Sequence, residues 1–268
     1  MSTARSSVTS GSASVTTRVQ LLCLYGCYVF AGAFLVGWVF LAHFMPPPHP
    51  SEGARAIARM YRGRTTEIRL GMYLCMLSSA LLLPWGGAVA VQMKRVEGRF
   101  SPLTYTWIAA QACIVIEFIY PCMIWATAAF RPESAPDVIW RFNDLGWLLF
   151  MGVISTGVLQ IFALAAVVLI DKRPNPVFPR WFGYFQIFCG LVLLEPELVI
   201  FVKTGPLAWN GVLSYWVGFT TAFVWLMVTT VVTASAVKRQ ESEPDDDPMS
   251  QLAVRVAELE AITRVAVS

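Results

Sequence analysis

The chain has 268 residues, 56 % of them apolar and only 14 % charged, and its mean hydropathy is +0.59. A soluble domain carries roughly 25 % charged residues, so this deficit excludes an ordinary water-soluble fold and points to lipid as the solvent. The net charge of +3 is small and divided among loops, which gives no argument for a nucleic-acid partner.

Residues 1–18 are rich in Ser and Thr and are expected to be a disordered N-terminal segment. Six long apolar runs follow, at Val19–Met45, Leu70–Met93, Leu103–Phe130, Leu145–Ile170, Trp181–Val202 and Asn210–Val237. Each reaches the ~20 residues that a helix needs to cross a bilayer. Backbone groups in lipid must be satisfied within the segment, and the alternation of a β-barrel is absent. The expected fold is therefore all-α, a polytopic six-transmembrane-helix bundle over residues 19–239. The first run exceeds the core of a signal peptide and is read as a retained span.

The first loop, 46–69, is the longest. Pro46-Pro47-Pro48-His49-Pro50 is expected to be extended polyproline. Ser51 then opens a short amphipathic helix, with Glu52 in its first turn. Arg55, Arg59 and Arg62 fall on one face of that helix, a candidate contact for anionic headgroups or a partner. Trp181 and Tyr184, with Tyr105 and Trp107, are read as interfacial anchors.

Counting Lys and Arg in the loops favours cytoplasmic N- and C-termini in the cell membrane. The inner side carries ten cations under that assignment and the outer side eight, five of them in the first loop alone.

The polar residues inside the spans carry the functional reading. Glu117 lies in the middle of the third span, where an ionised carboxylate costs about 3 kcal/mol or more. It is expected to be protonated or paired. Pro121, four residues on, has no N–H, so it frees the Glu117 carbonyl. The fifth span repeats this theme in Glu195-Pro196-Glu197. Glu195 and Glu197, two positions apart, do not share a helix face unless the proline breaks it. Glu195 lies at a depth Glu117 can reach, and a pair drawn from these carboxylates could hold one proton or cation. Gln160 and Gln186 are expected to meet across the fourth and fifth spans. Asn143 or Asp144 caps the fourth, and Lys203 could pair with Glu197. Gly71 to Pro84 in the second span and Gly183 to Pro196 in the fifth share their spacing, as two halves of an inverted repeat would.

All six cysteines fall inside spans, so no disulfide framework is expected. The two histidines, His43 and His49, flank the first span's end, which disfavours haem. No catalytic, metal-binding or nucleotide motif is present, so neither cofactor nor metal is expected. The tail, 240–268, reads as an acidic linker followed by a short amphipathic helix that could dock on the bundle or a second copy.

The leading expectation is a membrane protein that handles a small molecule, ion or proton, with Glu117 and Glu195 as its protonatable centre and Glu197 as a further candidate. The alternatives are a non-catalytic subunit or assembly factor of a larger membrane complex, and a membrane enzyme acting on a lipid or other apolar substrate. The expected surroundings are the lipid bilayer and, under the second reading, a homo-oligomer or a complex partner.

Overall fold

A computed structural model of the chain describes residues 3–240 and position 256. The expected C-terminal helix at 249–268 and its linker lie outside the described residues. Every described element is helical, and six segments are long and apolar enough to cross a membrane. The protein is a multi-pass helical membrane protein.

The first span combines α1 (Thr3–Leu35) with a π-helical turn at Val36–Leu41. Helical backbone thus extends back from the apolar run through most of the segment expected to be disordered. No proline interrupts the chain before Pro46, so a helix nucleated in the span can propagate backwards.

Helix α2 (Ala54–Gly63) lies in the first loop, with Gly53 rather than Ser51 at its N-cap. Glu52 stays outside the helix, and its Oε1 accepts the His49 N–H at 3.2 Å. The apolar face of α2 buries Ile57, Ala58 and Tyr61, chiefly against the fourth span.

The second span is two helices, α3 (Thr65–Ser79) and α4 (Leu82–Glu97). The Ser78 and Ser79 hydroxyls both donate to the Cys75 carbonyl, competing with the main chain for it. Pro84 then cannot donate to Ala80, whose carbonyl takes the Leu83 N–H instead at 3.1 Å.

The third span is one helix, α5 (Pro102–Phe130), which runs through Pro121. Glu97 caps its start by accepting the N–H groups of Leu103 and Thr104 at 3.0 and 2.7 Å.

The fourth span breaks between α6 (Pro136–Gly152) and α7 (Ser155–Ile170). No proline causes this break. Gly152 followed by Val153, Ile154, Ser155 and Thr156 is a run of poor helix formers. The fourth span also starts earlier than expected, because Pro136 at N1 and Asp137 in the first turn are good helix openers. Asn143 is therefore no cap. It is fully buried within α6, where its Oδ1 accepts the Tyr61 hydroxyl at 3.2 Å. Burial, with the charge of Asp144 nearby, holds the Tyr61 phenol well above its usual range.

The fifth span joins α8 (Arg180–Leu193) to a 3-10 turn at Glu195–Ile200. The sixth starts as a π-helical turn at Val212–Val217 and becomes α9 (Gly218–Gln240). A Cβ on Gly211 would lie 2.2 Å from the Pro206 carbonyl oxygen, so the approach to the sixth span admits only glycine there.

Helix α5 is central and packs against α3, α4, α6 and α7. Between a third and a half of each span's apolar window is buried inside the protein. The remainder, including Leu22, Leu77, Phe188 and Leu191, faces outward as a lipid-contacting surface.

Loops one, three and five share one face of the bundle, called here the odd face. Loops two and four, with the N-terminal end of the first span, share the even face. Every departure from regular α-helix falls in the middle or the odd half of the bundle. The even half is built from continuous α-helix.

On the even face, the Asp171 carboxylate accepts a forked pair of bonds from Arg173 at 2.9 and 2.8 Å and the Val177 N–H at 2.9 Å. Burial opposes ionisation of Asp171, but these bonds outweigh it and hold the carboxyl below its usual range.

Candidate functional site

The helix breaks surround a cavity of about 110 Å³ in the middle of the bundle. Leu82 comes to it from the start of α4. Gln111, Ile114, Glu117 and Phe118 come from α5, and Val153 and Ile154 from the break in the fourth span. Leu193 and Pro196 arrive from the fifth span, Ser214 and Gly218 from the π-to-α junction of the sixth. Four interrupted spans and one proline-bearing helix thus meet at one place. Interrupted membrane helices are tolerated where they line a cavity, because freed backbone groups need a partner other than lipid.

Glu117 is half-buried on the wall, and its Oε1 accepts the Thr156 hydroxyl from just after the break in the fourth span. Glu197 is near enough for its charge to act on Glu117, and its own buried Oε1 has no hydrogen-bond partner. Glu195 stands behind the wall, with its Oε1 3.1 Å from the hydroxyl of the cavity-lining Ser214. Of the three carboxylates, Glu117 is the one that lines the cavity. The 3-10 turn turns Glu197 inward, an orientation not legible from regular helical spacing. Among the described residues, Lys203 and Glu197 form no ion pair.

The glutamines pair differently from expectation. Gln160 donates through Nε2 to Gln111 Oε1, and Gln111 donates through Nε2 to the Leu82 carbonyl at 2.8 Å. Gln186 instead serves the sixth span, accepting the Trp225 indole N–H and donating to Thr229 at 3.3 Å. Gln160 lines the cavity and is fully buried, and its Oε1 has no partner. A closely approached glycine keeps Gln111 in place, since a Cβ on Gly86 would lie 2.4 Å from its Cγ.

The rest of the wall is aromatic. Phe118, Phe150, Phe219 and Phe223 stand on the odd side, Trp85 and Trp225 on the even side. Trp107 is not an interfacial anchor as its position near the helix start suggests. It is fully buried, donates to the Gly86 carbonyl at 2.9 Å, and stacks among Trp85 and Trp225.

The arginine stripe of α2 is only partly free. Arg55 and Arg59 are exposed, whereas Arg62 donates to the carbonyls of Pro132 and Ser134 at 2.7 and 3.0 Å and so clamps the third loop. Both matched segments, Gly71–Pro84 and Gly183–Pro196, stop their α-helices ahead of the proline, at Ser79 and Leu193. The fourth span breaks too and lies outside this pair, so interruption alone does not define the two halves of a repeat. Among the described residues, no three His, Cys, Asp or Glu side chains gather as metal ligands.

No family model, curated protein or solved structure matches this chain.

Proposed function

We propose that the protein handles a small molecule, a cation or a proton within the bilayer, with the central cavity as its working site. Glu117 is the exchangeable group and Glu197 the charge that tunes it. The observation that carries this reading is the convergence of interrupted spans on a cavity whose wall holds a carboxylate. An intramembrane carboxylate is expensive, and its usual settings are ion pathways, proton relays and ligand sites. The Thr156 bond makes Glu117 responsive to the fourth span's geometry at its break. The distribution of basic loop residues supports cytoplasmic termini, with the first loop as the exception.

An apolar carbodiimide added to the protein in lipid discs tests the reading, because such reagents reach protonated carboxyls from the membrane phase. Glu117 is expected to be modified ahead of the other carboxylates, and Glu117→Gln to abolish that label while the protein stays folded. A Glu117 that stays unmodified while the lipid-accessible carboxylates react would overturn it.

A further inference from the structure

A second recess lies apart from the central cavity, on the lipid-facing side of the bundle, where α3 enters from the odd face and α5 ends at it. Residues three or four apart share a helix face, and the two walls follow that spacing. The wall on α3 descends through Thr66, Arg69, Tyr73 and Met76, and the wall on α5 rises through Met123 and Ala126 to Phe130. From Arg69 to Met76, as from Phe130 to Met123, is about two helical turns, or about 10 Å. The groove therefore runs through most of one leaflet's share, about 15 Å, of the hydrocarbon layer.

Its polarity is graded. Arg69 stands at the mouth, with its guanidinium carbon 5.2 Å from the centroid of the Phe130 ring. That contact bridges the two walls and uses a flat face of the guanidinium, while the edge that carries the N–H donors stays open. Arg69 forms no ion pair with another described residue. Glu67, the nearest carboxylate in sequence, is turned to His43, with Oε2 4.0 Å from Nε2. Arg64 and Arg131 are exposed at the two helix ends that frame the mouth. Below Tyr73 the lining is Met76, Met123 and Ala126, and the Thr127 hydroxyl is spent on the Met123 carbonyl at 2.8 Å. The even face treats its cations differently, forking Arg173 onto Asp171.

We infer that this groove binds one anionic phospholipid of the odd-face leaflet, with its phosphate on Arg69 and an acyl chain lying between the methionines. A guanidinium edge matches two phosphate oxygens at once, which a point charge does not. A free phosphate would use Arg69 and leave the apolar floor empty, whereas a lipid fills both ends of the gradient. Methionine side chains adapt to irregular shapes, which suits a flexible chain. A zwitterionic headgroup would bring its ammonium among exposed arginines, and an anionic one meets only opposite charge there.

The test uses the full-length protein in detergent, with native mass spectrometry reading the lipids that stay bound. An equimolar mixture of phosphatidylglycerol and phosphatidylcholine with identical chains is added. One phosphatidylglycerol is expected to be retained, ahead of phosphatidylcholine by about tenfold. Arg69 is exposed, so Arg69→Gln removes no core contact and should bring the two lipids within about twofold of each other. Arg55→Gln, on the exposed face of α2 and outside the groove, should leave the preference as it was. Ala126→Trp fills the groove and should lower retention of both lipids with Arg69 still in place. Equal retention of the two lipids by the unaltered protein would overturn the inference. Equal losses in Arg69→Gln and Arg55→Gln would overturn it too, since they would mean attraction to the whole face. A dimer that Ala126→Trp separates would give the groove to a second copy and would likewise overturn it.

Discussion

The two halves of the bundle both pack buried tryptophans, but they differ in the continuity of their helices. In the even half, Trp85, Trp107 and Trp225 pack together, and each indole N–H finds an acceptor in Thr230, Gly86 or Gln186. The helices carrying them are regular. The odd half has a larger aromatic cluster, in which Trp38, Phe44, Trp125 and Trp147 lie with ring centroids 5.0 to 5.6 Å apart. There the Trp147 N–H is buried without a partner, as is Glu197 Oε1, while the spans turn to π, 3-10 or broken helix. Buried polar atoms without a partner occur in both halves, with Thr17 Oγ1, Gln20 Nε2 and Thr233 Oγ1 on regular helices of the even half. What separates the halves is therefore helix continuity, not polar satisfaction: the interruptions gather around the cavity and in the odd half.

That contrast has measurable consequences for thermal unfolding in lipid discs. The largest effect is expected from Gly86→Ala, whose new methyl group would displace the cavity-wall Gln111 and its bonds to Leu82 and Gln160. A loss of about 2–3 kcal/mol is expected, against under about 1 kcal/mol for Gly157→Ala at the cavity edge. The added Cβ at Gly157 meets nothing nearer than Ile114 Cδ1 at 3.4 Å. Equal losses would show that the bonded Gln111 yields as readily as the open edge beside Gly157.

The next comparison is between two equal truncations. Trp225→Phe and Trp147→Phe remove the same volume, but only the first breaks a hydrogen bond and leaves Gln186 Oε1 unpaired. Trp225→Phe should therefore cost about 1–3 kcal/mol more than Trp147→Phe. A reversed order would mean that the Trp147 N–H has a partner that matters.

The smallest effect concerns the even face and pH. Asp171 has a folded pKa below its unfolded value of about 3.9. Its stabilisation is present above that unfolded value and is lost as pH falls through the folded one. Asp171→Asn is expected to lower stability near neutrality by about 1 kcal/mol and to flatten the acid side of the stability profile. An acid limb unchanged in the variant would show that Asp171 is not its source.

Much of this architecture was legible in the sequence, and the reason is physical. Span number and length follow from hydropathy, which reads the solvent directly. Glu117 stood out because a carboxylate in the middle of an apolar run is costly wherever it faces. Pro196 and Pro121 were read alike as freeing a carbonyl, but the helix stops only ahead of Pro196, while α5 runs on through Pro121. Other features depend on which side of a helix meets which neighbour. The pairing of Gln160 with Gln111 rather than Gln186 is of this kind, as is the burial of Trp107. The break at Val153–Ile154 had a faint signal in its run of β-branched and small residues, but a run of that kind also occurs in continuous membrane helices. Asn143 was misread as a cap because the apolar run begins later than the helix, which Pro136 and Asp137 open.

The most direct test of the central claim is infrared difference spectroscopy of the Glu117 carboxyl in lipid discs, with Glu117→Gln to assign the band. An accessible group in a working cavity predicts a band that changes with bulk pH. A band indifferent to pH would mean a sealed structural hydrogen bond to Thr156, and would contradict the claim that the cavity around Glu117 is the working site.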